Sequence, residues 1–345
     1  MRYKLGIFLM CVVILLGTAG CSDRTTETKS ITIDQQAIEL AKGEDKLIVI
    51  TSIFPLYDFS SRIGGDQVAV FNMLPPGADA HDYEPTAKQT MAIADADIFA
   101  YNGAGFELWI DKILGALDGD HQLHILNATE GLPLLEANEE EHDHEHSAIA
   151  ELWYGFIGLF GFEHEHHDHG PNDPHVWLNP QLALQQAEKV LEVLIQVRPE
   201  QAEYFTNNFS ELRDELILLD QQFEEQLQDM SERTFVVSHS GYAYLAERYQ
   251  LEQVAIAGIH PGSEPSNKEI RAIIDFLKQS DNRNVFFETT VSNKTAQVIA
   301  TEANAQTLVL HPLENVTLED LNNGESYVSI MYRNLENLKT GLTSK

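Results

Sequence analysis

Leu47-Ile-Val-Ile-Thr-Ser-Ile53 is apolar at almost every position. A short run of this kind, without alternation, is the pattern of a strand buried on both faces of a parallel sheet. Comparable runs recur at 67–74, 97–101 and 124–127, and again at 234–237, 253–256, 284–287 and 307–310. Between them lie segments of helical periodicity: 55–63, 86–94 and 106–117 in the first group; 242–249, 267–279 and 294–303 in the second, with 327–342 closing the chain. Strands alternating with short helices build α/β layers around parallel sheets. The groups are separated by two amphipathic segments, 180–197 and 200–230, with Pro199 restarting the helix at a first-turn position. In the longer one, Tyr204, Phe205, Phe209, Leu212, Leu216, Leu219, Phe223 and Leu227 mark one face. That spacing predicts a helix of about 30 residues, about 45 Å long. The fold class expected is α/β: two α/β lobes with parallel-sheet cores, 47–180 and 232–345, joined through the helical region 181–231 by one long rigid helix. With 345 residues and 43% hydrophobic content the chain can bury two such cores.

The N-terminus has a different character. Arg2 and Lys4 precede an apolar run from Leu5 to Leu16, followed by Gly-Thr-Ala-Gly-Cys. A charged start, a short apolar core and small residues are the features of a secretory signal, here residues 1–20. The run falls short of the roughly 20 apolar residues of a membrane span. Thr18-Ala19-Gly20-Cys21 resembles a bacterial lipobox, which implies lipidation of Cys21. Residues 21–46 then read as a polar tether, with a short helix over 33–42. The only other cysteine is Cys11, so no disulfide framework or cysteine-based zinc site is available to the folded body.

Histidine supplies what cysteine does not. Seven of the fourteen histidines lie in a loop at 139–170, interleaved with Asp and Glu: His142, His144, His146, His164, His166, His167 and His169. Alternating imidazole and carboxylate is the composition of a metal-binding tract. No Lys or Arg occurs between Lys112 and Lys189. The formal charge of −32 excludes a nucleic-acid partner, whose phosphates need a basic surface. Four further segments place ionisable residues near element ends: His81 in HDYEP, His175 in DPHVWLNP, His239 in SHSGY, and His311 with Glu314 in LHPLE. Three of these follow strands, where open α/β sheets bind their ligands. Two segments belong to each lobe, so they converge in the cleft between lobes.

These motifs resemble those of zinc-specific solute-binding lipoproteins of ABC importers, within a group of zinc- and manganese-binding receptors. The resemblance runs from about residue 46 to the C-terminus. It implies two α/β lobes joined by a rigid helix, with the metal bound between them. Carried over by motif, His81, His175 and His239 are the imidazole ligands, and Glu314 is the fourth, with His311 as the alternative. Manganese-type relatives carry a carboxylate where this chain has His239, so the resemblance implies Zn2+ as the transported ligand. Three imidazoles and one carboxylate make a closed tetrahedral set suited to zinc, whereas manganese favours more oxygen ligands. The histidines of 139–170 are then accessory, weaker sites, because an unformed site must be ordered on binding.

The expected protein is a monomeric, non-enzymatic zinc receptor, lipid-anchored on the extracytoplasmic face of a bacterial membrane. Its partners are an ABC permease and, through it, a cytoplasmic ATPase. The alternatives are a secreted zinc hydrolase, with Glu84 as general base, and a metal-binding adhesin. A hydrolase needs an open coordination position for water, and the sequence carries neither an HExxH nor a GxSxG motif.

Overall fold

The computed structural model describes residues 32–117, 122–137, 172–257, 267–279, 284–288 and 294–343. The leader, Cys21 and the accessory histidines of 139–170 lie outside the described residues. The first lobe contains β1 (Leu47–Thr51), β2 (Val68–Asn72), β3 (Ile98–Tyr101) and β4 (His124–Asn127), all parallel, in the order β2-β1-β3-β4. The second contains β5 (Thr234–His239), β6 (Glu252–Ala257), β7 (Asn284–Phe287) and β8 (Gln306–Val309), again all parallel, in the order β6-β5-β7-β8. The two lobes therefore repeat one topology. In each, the chain steps outward to one side of the first strand and then crosses to the other, creating a switch point beside that strand. All five residues of β1 are buried, as its unbroken apolar run requires.

The helices of the first lobe are α1 (Gln35–Gly43), α2 (Phe54–Gly64), α3 (Ala87–Ala94) and α4 (Ile110–Ala116). Two central helices follow, α5 (Pro180–Val197) and α6 (Ala202–Leu227). The second lobe adds α7 (Ala243–Arg248), α8 (Asn267–Gln279), α9 (Lys294–Ala303), α10 (Leu318–Asn322) and α11 (Tyr327–Leu342). The α6 helix has 26 residues, about 39 Å at 1.5 Å per residue. Its first expected turn is instead a 3-10 turn at Pro199–Gln201. Beyond its other end, the Arg233 guanidinium donates to the carbonyls of Leu227 and Tyr249, supplying partners that a helix end lacks. Phe205, Phe209, Leu212, Leu216, Leu219, Phe223 and Leu227 are all buried. They share one apolar cluster with Leu56 and Phe59 of the first lobe and Phe235, Val237, Leu335 and Leu338 of the second.

A polar cross-link fixes the second lobe on this helix. Asp220 of α6, buried, accepts from Arg248 at 3.0 and 2.8 Å, from the Tyr249 hydroxyl at 3.0 Å and from Gln181 at 3.0 Å. Arg248 and Tyr249 belong to the second lobe and Gln181 to α5, so one carboxylate ties three elements together.

The tether is shorter than the sequence implied. Thr32 bridges to Asn72, and Asp34 caps α1 by accepting from Gln36 and Ala37. Ile38 and Ala41 are buried among Ile48, Ile50, Phe71 and Phe99, and Arg198 donates to the Asp45 carbonyl at 2.7 Å. The short helix expected over 33–42 forms at Gln35–Gly43, and its two inward positions, Ile38 and Ala41, dock it on the lobe rather than leaving it in the tether. Ile38→Ala should lower stability by about 2–4 kcal/mol, as for a core Ile truncation, measured by denaturant unfolding. A loss within about 0.5 kcal/mol, the ordinary range for surface substitutions, would return this segment to the tether.

Candidate metal centre

Each of the converging residues is delivered by a local structural rule. His81 sits in the loop between β2 and α3. There Pro75-Pro76 end the strand, Gly77 turns with φ +78°, and the His81 amide donates to Asp79 Oδ1 at 2.9 Å. His175 precedes a short 3-10 turn, Val176–Leu178, that leads into α5, whose Asn179 cap accepts from Gln181. His239 is the last residue of β5. Gly241 follows closely because any β-carbon there would lie 2.3 Å from His239 Nε2. Glu314 lies in the loop after β8, on the far side of Leu313, which adopts φ +63°.

The three imidazoles meet. Nε2 of His175 lies 3.4 Å from Nε2 of His81 and 3.5 Å from Nε2 of His239. Glu314 Oε2 is 3.1 Å from His81 Nε2. All four residues are buried. A tetrahedral ion with bonds of about 2.0–2.1 Å separates its ligand atoms by about 3.3–3.4 Å, so these nitrogens stand close to the edge length of a zinc site. Phe106 contacts His81 edge-on at 5.0 Å, Trp177 lies 5.3 Å from His175, and Tyr242 lies 5.9 Å from His239. This aromatic wall surrounds the buried rings with low-polarity surface, where charge interactions are stronger than in water.

The lobes close directly over the site. The Phe54 amide donates to the Glu314 carbonyl at 3.0 Å, and the Gly77 amide to the Val316 carbonyl at 2.9 Å. Asn315, fully buried, donates to the carbonyls of Pro75 and Ala78 at 2.7 and 2.8 Å. Trp177 Nε1 donates to the Pro312 carbonyl at 2.7 Å. The loop bearing Glu314 is therefore held against the loop bearing His81.

Buried carboxylates hold two rings from behind. Asp173 Oδ1 pairs with His175 Nδ1 at 2.8 Å and also accepts the His175 amide at 2.9 Å. Glu288, buried just past β7, pairs through Oε1 with His239 Nδ1 and accepts the Ser238 hydroxyl. Such pairs present Nε2 outward and raise the ring's basicity as a donor. Burial opposes charge on His239, but Glu288 overrides it and holds the ring up at about 9. Burial pushes His175 below its ordinary value, with Asp173 only partly offsetting it. For Glu314, burial would raise the carboxyl, yet the charges of His81, His239 and His175 hold it down at about 2.

Of the sequence-derived set, the imidazoles of His81, His175 and His239 are brought together, and Glu314 stands beside one of them, His81. His311 is not in the group: its ring is turned toward α10, with Nε2 3.9 Å from Asp320 and Nδ1 accepting from the Leu313 amide at 3.0 Å. Asn334 grips its backbone on both sides. Glu84 is exposed, so it does not face the buried trio as a base. Asp173 and Glu288 escaped the sequence reading. An acid directly after a strand on one side of the switch point was the available signal for Glu288.

Glu288→Gln keeps the size of the partner and removes its charge. It should weaken zinc binding by about 10–100-fold at about pH 9, where little of the His239 proton is left to displace, as outer-shell substitutions do. It should also flatten the pH dependence between about pH 7 and 9, where Glu288 keeps the His239 ring protonated. Isothermal titration across that range checks both, and an unchanged slope would show that Glu288 does not set the His239 proton.

Comparison with known proteins gives a consistent family. The profile described as zinc-uptake complex component A, periplasmic (ZnuA), matches residues 49–341. The chain is 33% identical over 340 residues to the high-affinity zinc uptake system protein ZnuA of Bacillus subtilis, covering 99% of this chain and 98% of the relative. It is 34% identical over 299 residues to the zinc-binding lipoprotein AdcA of Streptococcus pneumoniae, covering 86% of this chain and 56% of the relative, so it spans little more than half of that protein. The Zn(II)-bound ZnuA-like domain of that AdcA aligns with a TM-score of 0.71 at 32% identity, over 86% of this chain and 99% of the domain.

Proposed function

We propose that this chain, which belongs to the zinc-uptake complex component A family, is the extracytoplasmic receptor that captures Zn2+ and delivers it to an ABC permease. The observation that carries the reading is the convergence of three buried imidazoles between the lobes, with the Glu314 carboxylate 3.1 Å from His81 Nε2. In this reading His81, His175, His239 and Glu314 bind the ion. Four protein ligands close the tetrahedron, leaving no position for a reactive water, as befits capture without chemistry. The ion carries two positive charges into a site holding one ionised ligand carboxylate, with Glu288 and Asp173 directly behind the rings; this offsets the desolvation of a buried cation.

Anchoring through Cys21 keeps the receptor beside its permease, and the histidines of 139–170 provide weaker, accessory binding. Release follows from docking, because the ion leaves only when the loop contacts over Glu314 and His81 separate. The four-ligand set favours this reading over a hydrolase.

Calorimetric titration of the protein with and without residues 139–170 tests the proposal. One tight zinc site should survive the deletion while several weaker ones disappear. Loss of the tight site with the loop would remove the cleft from consideration.

A further inference from the structure

We infer that Tyr244 is a positioning residue for the metal site, acting through the turn that carries His175. The inference rests on the zinc-receptor reading above. Tyr244 lies in α7, five residues after His239, and is buried against Val176 and Leu182, with Leu132, Leu134 and Leu135 packed around them. Its hydroxyl donates to the Asp173 carbonyl at 2.8 Å and accepts the Leu135 amide at 2.9 Å. Both of its hydrogen-bonding roles with the backbone are therefore filled by first-lobe groups, although the residue belongs to the second lobe.

Leu135 and Asp173 are the two ends of one closed stem. The Asp173 amide donates to the Leu135 carbonyl at 2.9 Å, and Glu136 bridges Asn172 in antiparallel fashion. The hydroxyl is the third tie across this stem and the one that attaches it to the opposite lobe. Asp173 in turn fixes His175 through both its ring Nδ1 and its amide. From the other side, Asn102 donates to the Pro174 carbonyl at 2.9 Å. The peptide units on both sides of Pro174 are thus clamped, one by each lobe. A single phenol group sets the distance between the turn of His175 and the helix that follows His239.

The stem also encloses all seven accessory histidines in sequence, between Asn172 and Glu136. Removing the hydroxyl leaves the Leu135 amide and the Asp173 carbonyl short of a buried partner and loosens the stem where it meets the site.

The test is Tyr244→Phe, which keeps the ring in its apolar cluster. Tyr249→Phe is the control, since it removes a buried tyrosine hydroxyl bond that ties the second lobe to the connecting helix at Asp220 rather than to the turn of His175. Zinc affinity and thermal melting are measured for both in the full chain, well below each melting temperature, with the visible spectrum of bound Co2+ reporting coordination geometry. Tyr244→Phe should weaken zinc binding about tenfold, the lower end of the range for outer-shell partners, and alter the Co2+ spectrum. Tyr249→Phe should lower the melting temperature alone. An affinity and spectrum unchanged in Tyr244→Phe, or changed equally in both variants, would overturn the inference. Absence of a tight site in the unsubstituted protein would instead defeat the zinc-receptor reading itself.

Discussion

His175→Ala is expected to weaken the tight zinc site by about 100–1,000-fold while leaving the accessory sites of 139–170 in place. A four-ligand structural zinc site is worth about 10–16 kcal/mol at neutral pH, so one ligand accounts for about 3–4 kcal/mol, or two to three powers of ten. His175 is the most revealing of the ligands to remove. It lies within 3.5 Å of both other imidazoles, and it is the one clamped from both lobes. Its loss also leaves Asp173 without its ring partner. Competition titration against a chelator of known affinity reads the effect. A tight site that persisted in this variant would place the zinc elsewhere in the protein.

The second large effect is that of pH. Neutral imidazoles bind metal, so protons compete with zinc and affinity falls as pH falls. With ordinary histidines the loss would begin near pH 6.5. Here Glu288 holds the His239 ring at about 9, so its proton must be displaced at every pH below that value. His175 is pushed the other way and joins the competition only at lower pH. Glu314, held at about 2, remains ionised throughout and contributes no slope. Affinity should therefore drop about tenfold per pH unit from about pH 9 downward, or about 1,000-fold between pH 8 and 5. Calorimetry in buffers of different ionisation enthalpy should show about one proton released per zinc near neutral pH. A flat profile from about pH 8.5 to 7, or no proton released, would refute this assignment.

Much of this architecture was written in local pattern. Unbroken apolar runs such as 47–53 specify doubly covered strands wherever they fall, and the stripe from Phe205 to Leu227 specifies one long helix. Both follow from backbone geometry that acts over a few residues. The first-turn prolines of α2 and α5, and the Thr86 and Thr317 capping boxes, likewise act within a turn. Where the pattern was thin, as in 32–46, the short helix was legible but its docking was not. Two inward positions, Ile38 and Ala41, are enough to dock a nine-residue helix only because the sheet already offers Ile48, Ile50 and Phe71.

The site divides along the same line. The sequence by itself determined which side chains stood at element ends, and the family motifs selected His81, His175, His239 and Glu314 among them. It left His311 open, since only Pro312 and Leu313 separate it from Glu314 and either is close enough in sequence. Only the tertiary structure gives the two residues different surroundings. Leu313 takes a left-handed turn that sends Glu314 back into the cleft, while Asn334 and the Leu313 amide turn His311 toward α10. The partners behind the rings were settled in the same way. Asp173 is two residues from His175, but Glu288 is 49 residues from His239, and Tyr244 is 71 from Asp173. The first contact forms when β5 and β7 pair in one sheet, the second only when the two lobes pack together. A period of two or of 3.6 carries no information about them, because their distances are fixed by the packing of whole elements.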